Sequence, residues 1–130
     1  MSTATLNDLW GELPAAHTIT LPSSILAEQA VLLGNKTSNV LQGEVKTIET
    51  TPERMRHTLN VRVPILGNYR FALLAAEFNI LAPFPCLVQD LVSNNTYMDV
   101  PDEERFRSTI REILQSGPVR SVIATLLRQA

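Results

Sequence analysis

The sequence is poor in cysteine and glycine, and it contains no long hydrophobic run. Cys86 is the only cysteine, so no disulfide can form within the chain, and its apolar surroundings predict a buried, unreactive thiol. The five glycines form no P-loop, G-x-G-x-x-G or G-x-S-x-G motif. The apolar runs fall far short of the roughly 20 residues that a membrane helix needs. These absences exclude a disulfide scaffold, a glycine-rich phosphate loop and a membrane-spanning protein.

Metal-ligating residues and basic residues are also scarce. Two histidines and one cysteine are too few for a zinc site of the usual kind. The sequence pI near 5.6 lacks the basic character of a nucleic-acid-binding protein. No aromatic residue alternates with Arg54, Arg56 and Arg62 to stack bases. We therefore expect no cofactor, no metal, no nucleic acid and no membrane.

The composition is that of a single domain over residues 1–130. Residues 1–16 form an N-terminal segment whose structure the sequence specifies only weakly. A chain of 130 residues buries roughly two thirds of the surface that its unfolded form exposes. Charged residues make up 18% of the chain, somewhat below the usual share of about 25%. This low share indicates that a second copy covers part of the surface, most simply in a homodimer. No secretion leader is visible, so we expect a cytoplasmic protein.

The clearest local pattern is a β-hairpin in the middle of the chain. Leu59, Val61 and Val63 alternate with polar residues at the period of a half-buried strand. Gly67-Asn68 is a short hairpin signal. Centring the turn there predicts the pairs Leu59–Ala76, Val61–Leu74 and Val63–Ala72.

Patterns on either side of the hairpin predict the remaining elements. Pro22-Ser23-Ser24 is a helix start, and strands are expected over 40–48, 86–92 and, shorter, 96–100. Acidic residues before Phe106 indicate another helix start, and a second apolar stripe follows Pro118. The predicted fold class is α+β: an N-terminal helix, an antiparallel β-meander of about four strands, and two C-terminal helices packed on the sheet.

Two polar residues stand out in apolar strand contexts. His57 falls on the apolar face of its strand, and Glu77 interrupts an apolar run. A buried histidine and an ion pair with Arg56 are the structural explanations, while a base or pH sensor in a ligand pocket is the functional one. No nucleophile–base pair is visible, so we expect no catalytic residue. The candidate ligand-binding residues are His57, Glu77, Tyr69 and Tyr97.

Charge and apolar patterning predict an interface. Residues 71–104 hold six acids and no Lys or Arg, whereas residues 105–130 hold five Arg against one acid. Such blocks pair within one subunit or between two, or are simply solvated. The single tryptophan either plugs the core edge or anchors a partner. The candidate interface residues are Trp10, Arg56, Arg62, Val122 and Leu126.

These patterns predict a non-enzymatic protein-interaction module whose partner is itself, as a homo-oligomer, or another protein. One alternative rests on the order of the predicted elements. A four-strand meander followed by two helices, over residues 40–130, resembles the topology of the export chaperone SecB. That resemblance implies a peptide-binding module with an exposed apolar groove, although the helix at 23–34 departs from it. The other alternative is a small-molecule binder or enzyme with a pocket between the sheet and the helices.

Overall fold

A five-stranded antiparallel sheet and three α-helices make up the computed structural model, which describes residues 7–15 and 20–130. The strands lie in the order β1-β2-β3-β4-β5, a simple meander. The α+β class and the antiparallel meander are confirmed, with five strands rather than about four. Residues 1–6 and 16 of the N-terminal segment lie outside the described residues. In chain order the elements are α1 (Pro22–Lys36), β1 (Gln42–Thr51), β2 (Arg54–Val63), β3 (Tyr69–Asn79), β4 (Ala82–Asp90), β5 (Asn95–Val100), α2 (Glu103–Leu114) and α3 (Gly117–Gln129).

The corner between α1 and β1 is fixed by one threonine. The Thr37 hydroxyl donates to the Leu33 carbonyl at 2.9 Å and accepts the backbone N–H of Leu41 at 3.1 Å. It thereby satisfies backbone groups that the end of a helix leaves free. The corner returns the chain beneath α1, so that Gly43 of β1 lies directly against Ala30.

The central hairpin is present, but the predicted register is wrong. Leu59 faces Leu74 rather than Ala76. The turn is closed by the pair Val63–Tyr69, so its centre lies ahead of the glycine–asparagine pair. The partner of Val63 thus lies three residues from the predicted Ala72, and a β-bulge between Leu59 and the next residue moves the pairing back by one. Because the total shift at Leu59 is two residues, the side chain stays on its predicted face.

The sheet has one covered face and one open face. Side chains from all three helices join those of one strand face in a single core, while polar side chains alternate onto the other face. A sheet with one face on the core and one in water is the common antiparallel arrangement. Among the described residues, no helix combines the length and apolar character needed to cross a membrane. The largest fully buried core side chains are Phe106, Ile25, Leu26, Leu41, Leu74, Ile113, Val61, Val63, Val88 and Val119.

Candidate functional site

The four candidate ligand-binding residues lie in different places. His57 is on the covered face of the sheet, whereas Glu77 is on the open face, directly opposite Arg56. Tyr69 lines a cleft beside α3, and Tyr97 lies in a shallow depression between β5 and α2. The sheet itself separates His57 from Glu77, so one pocket cannot use both groups.

His57 is built into the core. It is 8% exposed, and its Nδ1 lies 2.7 Å from the Thr47 hydroxyl. The imidazole also packs on Phe78, with ring centroids 5.1 Å apart. Burial lowers the pKa of His57 below its usual value of 6.5, because desolvation disfavours the charged imidazolium. These contacts give His57 a structural role with pH-dependent consequences.

We expect the free energy of unfolding to fall as the pH drops below about 6.5. The lowered pKa means that the unfolded chain binds a proton at His57 more readily than the folded one. The stabilisation is therefore complete above the unfolded pKa and is lost toward the folded pKa. Urea titrations of wild type and His57→Gln at pH 7.5 and 5.5 measure this contribution. An identical pH dependence in both proteins would contradict it.

The open face of the sheet is rich in arginine, and we call it the arginine face. Its five basic and two acidic side chains give it a formal charge of +3, whereas the whole chain has a net charge of −2. The rest of the chain is therefore strongly acidic. The charged side chains of the arginine face are Lys46, Arg54, Arg56, Arg62, Arg70, Glu44 and Glu77.

Each carboxylate of the arginine face lies between two guanidinium groups. Glu77 accepts a hydrogen bond from Arg54 at 3.1 Å and lies 3.7 Å from Arg56. In the same way, Glu44 pairs with Arg62 and with Arg70. The predicted ion pair of Glu77 with Arg56 is therefore present. These partly exposed pairs order the arginine face and contribute modestly to stability.

A cleft beside α3, here called the Tyr69 cleft, brings three predicted residues together. It has a volume of about 440 Å³ and joins Tyr69, a candidate ligand residue, to the candidate interface residues Val122 and Leu126. Its polar groups are hydroxyls and an amide, without a charged side chain. The full lining is Leu66, Tyr69, Phe71, Ser121, Val122, Thr125, Leu126 and Gln129.

A second groove lies on the other side of α3, between it and α1, and we call it the α1–α3 groove. It encloses about 360 Å³, and Leu59 and Leu73 of the sheet contribute to its apolar wall. Lys36 and Arg120 also line it, and none of its described lining residues is acidic. Sequence reasoning missed this groove, because Leu73 reaches the covered face only through the bulge in the hairpin. The remaining lining residues are Gln29, Leu32, Leu33, Leu114, Gln115, Val119 and Ile123.

The described part of the N-terminal segment projects its apolar side chains into solvent. Trp10 is 82% exposed and Leu9 is 88% exposed, so Trp10 does not plug the core edge. The backbone N–H of Trp10 donates to Asp8 at 2.9 Å, and Gly11 has a φ of 64°. Together they form a local turn of the kind that Asp and Gly favour. Trp10 remains a candidate partner anchor.

The buried titratable groups do not add a reactive site. Cys86 is buried, as predicted, and burial raises its pKa to about 11, which disfavours the nucleophilic thiolate. Burial and the nearby carboxylates of Glu112 and Asp90 raise the pKa of Tyr97. Within residues 7–15 and 20–130, no three His, Cys, Asp or Glu side chains lie close enough to hold a metal ion.

The remaining candidate interface residues fall on two separate surfaces. Arg56 and Arg62 belong to the arginine face, and Trp10 belongs to the exposed N-terminal segment.

Comparisons of the chain with protein-family models, with curated proteins and with solved structures found no match in any of the three.

Proposed function

We propose that the protein is a non-enzymatic protein-interaction module that acts as a homo-oligomer, most simply a dimer. The observation that carries this proposal is the incomplete burial of α3. Val119 and Leu126 reach the core, but Val122 and Ile123 are only half-buried, and Leu127 is 40% exposed. An amphipathic helix is stabilised mainly by packing of its apolar stripe. A partner that covers the outer part of this stripe would complete that packing.

The apolar surface continues from α3 across the Tyr69 cleft. Ile65 is 73% exposed and Tyr69 is 47% exposed, and both lie at the turn between β2 and β3. Tyr69 and Val122 face the same cleft, so the exposed surface joins two elements that are far apart in sequence. A large exposed apolar patch marks an interaction site in many soluble proteins.

The positions of the polar candidates favour self-association over a small-molecule site. His57 is held by Thr47 and Phe78, and Glu77 is held by two arginines on the other face of the sheet. A ligand pocket generally uses a few polar groups that converge on the same cavity. The Tyr69 cleft instead offers a mostly apolar, open lining, which suits the side chains of a protein partner.

A function as a peptide-binding chaperone has less support than self-association. The open face of the sheet carries a net charge of +3 and would offer an unfolded peptide few apolar contacts. Beside α3, by contrast, exposed apolar side chains adjoin the Tyr69 cleft. A helix face and a compact cleft suit a second folded copy, since the same patch can serve both subunits of a two-fold dimer.

We expect Val122→Glu to weaken self-association at least tenfold. Val122 is half-buried beside Leu126 in the Tyr69 cleft, so a carboxylate there would lose its hydration inside an interface. A tenfold rise in the dissociation constant corresponds to about 1.4 kcal/mol. Sedimentation velocity over a dilution series measures this constant, and circular dichroism checks that the variant folds.

The matched control is Leu81→Glu, which introduces the same charge at a different surface. Leu81 is 84% exposed at the turn between β3 and β4, remote from α3 in the sheet. The control should keep the wild-type dissociation constant. A wild-type protein that sediments as a monomer throughout the dilution series overturns the proposal. Equal weakening by both variants would place the interface elsewhere.

A further inference from the structure

We propose that residues 8–13, here called the acidic segment, dock into the α1–α3 groove of a second copy of the chain. This inference rests on the proposed homo-oligomer and adds the segment and the groove that hold it together. The segment supplies exposed apolar side chains with acidic neighbours. The groove supplies an apolar wall with basic neighbours.

The acidic segment has the composition of a docking peptide. Leu9, Trp10 and Leu13 are 88%, 82% and 64% exposed, respectively, and they alternate with Asp8 and Glu12 over six residues. Tryptophan is strongly enriched among residues that dominate binding energy. The turn between Asp8 and Trp10 already restricts the segment, which lowers the entropic cost of binding.

The α1–α3 groove complements this segment in size, polarity and charge. Its volume of about 360 Å³ lies within the usual range of ligand pockets, roughly 300–1,000 Å³. Leu32, Leu114 and Ile123 have accessible apolar surface for contacts with an aromatic side chain. Lys36 and Arg120 are both exposed groove residues and can pair with the carboxylates of the segment. Such pairing would steer the segment into the groove and set its orientation.

The two other candidate surfaces fit the acidic segment less well. The Tyr69 cleft is apolar, but no charged side chain lines it. The arginine face has the opposite property: it is strongly basic, but the centre of its surface is formed by Ala72 and Ala75, which offer little apolar area. Only the α1–α3 groove among these described surfaces combines an apolar wall with unopposed cations.

A second copy, rather than the same chain, is the expected partner. Trp10 is 82% exposed, so the acidic segment is not seated in the groove of its own subunit. Residues 1–35 contain no Lys or Arg, so the carboxylates of the segment have no basic partner close to them in sequence. Reciprocal exchange of two segments would give a closed two-fold dimer, in which each copy donates one segment and accepts one.

Intrinsic fluorescence tests this inference directly, because Trp10 is the only tryptophan. We expect the emission maximum to move to shorter wavelength as the protein concentration rises, with a midpoint at the dissociation constant measured by sedimentation. Arg120→Glu should weaken association at least tenfold. Arg128→Glu is the matched control, since Arg128 is exposed on the same helix but does not line the groove.

Exchanging the charges of Arg120 and Glu12 tests the proposed ion pair between the groove and the acidic segment. Combining Arg120→Glu with Glu12→Lys should recover much of the lost affinity, as a double-mutant cycle would show. A dimer whose dissociation constant is unchanged by Trp10→Ala overturns this inference but leaves the proposed function intact. A wild-type protein that stays monomeric overturns both. Short-wavelength emission that does not depend on concentration means docking within one chain and overturns the exchange.

Discussion

Replacing Gly43 with alanine should destabilise the fold by about 3 kcal/mol, toward the upper end of the range for overpacked sites. A Cβ at this position would lie 2.4 Å from the Cα of Ala30 and 2.7 Å from its carbonyl oxygen. Both are backbone atoms of α1, so a side-chain rotation cannot relieve the clash. The strand and the helix would have to separate, and the buried surface between them would be disturbed.

Urea denaturation of Gly43→Ala measures this effect from the shift in the transition midpoint. Gly117→Ala is the matched control, because apart from its two chain neighbours and the nearby backbone of α3, no atom of the described residues lies within 4 Å of a Cβ built there. Gly117 begins α3, where alanine is a better helix former, so the control should change stability by no more than about 0.5 kcal/mol. Similar losses in the two variants would contradict a steric origin at the contact between α1 and β1.

The close contact at Gly43 also matters for the proposed docking site. α1 carries Leu33 and Lys36, which form one side of the α1–α3 groove. If alanine pushes α1 away from β1, the groove should widen as well. Gly43→Ala should therefore weaken self-association under conditions in which it is still folded, whereas Gly117→Ala should not.

The sequence predicts best those features that depend on local chemistry. The acidic start of α2 is an example: Asp102 caps the helix by accepting the backbone N–H of Arg105 at 2.8 Å. The alternation of Leu59 and Val61 likewise identifies the covered face correctly. Capping and alternation act over a few residues, so they can be recognised without knowledge of the tertiary structure.

The hairpin register depends on features that the local pattern does not contain. A bulge adds one residue to a strand without interrupting its apolar character, so Leu73 looks like any other residue of β3. The prolines of β4 lead to a similar error: the sequence pattern predicts a strand that starts at Cys86, whereas β4 begins at Ala82. Pro83 and Pro85 fall in the irregular stretch of the β3–β4 pairing, where the ladder does not require their missing N–H groups.

The candidate site is the least predictable part of the structure, because it depends on how distant elements pack. One aspect of it is predictable: the alternation of β2 and β3 places His57 and Glu77 on opposite faces, which argues against one pocket that uses both. Nothing local indicates that Tyr69 meets Val122 beside α3. That contact depends on how α3 lies on the sheet, and the sequence of α3 alone does not specify this.

Truncation of Phe106 to alanine should cost about 4 kcal/mol, within the range measured for large aromatic residues in protein cores. Phe106 is fully buried, and its ring meets that of Phe84 edge to face, with centroids 6.2 Å apart. It anchors the beginning of α2 on the part of the sheet formed by β4. Alanine would leave a cavity that the surrounding side chains cannot fill without moving the helix.

Phe106→Leu tests whether the loss of stability comes from the missing side-chain volume or from the missing aromatic ring. Leucine keeps much of the buried apolar volume, so this variant should lose less than about 1.5 kcal/mol in the same urea titration. Since only Gln115 and Ser116 connect α2 to α3, loosening of α2 should also disturb the surfaces on either side of α3. Phe106→Ala should then self-associate more weakly than Phe106→Leu at equal folded fraction. A loss below about 1 kcal/mol for Phe106→Ala would contradict the role of Phe106 as the anchor of α2.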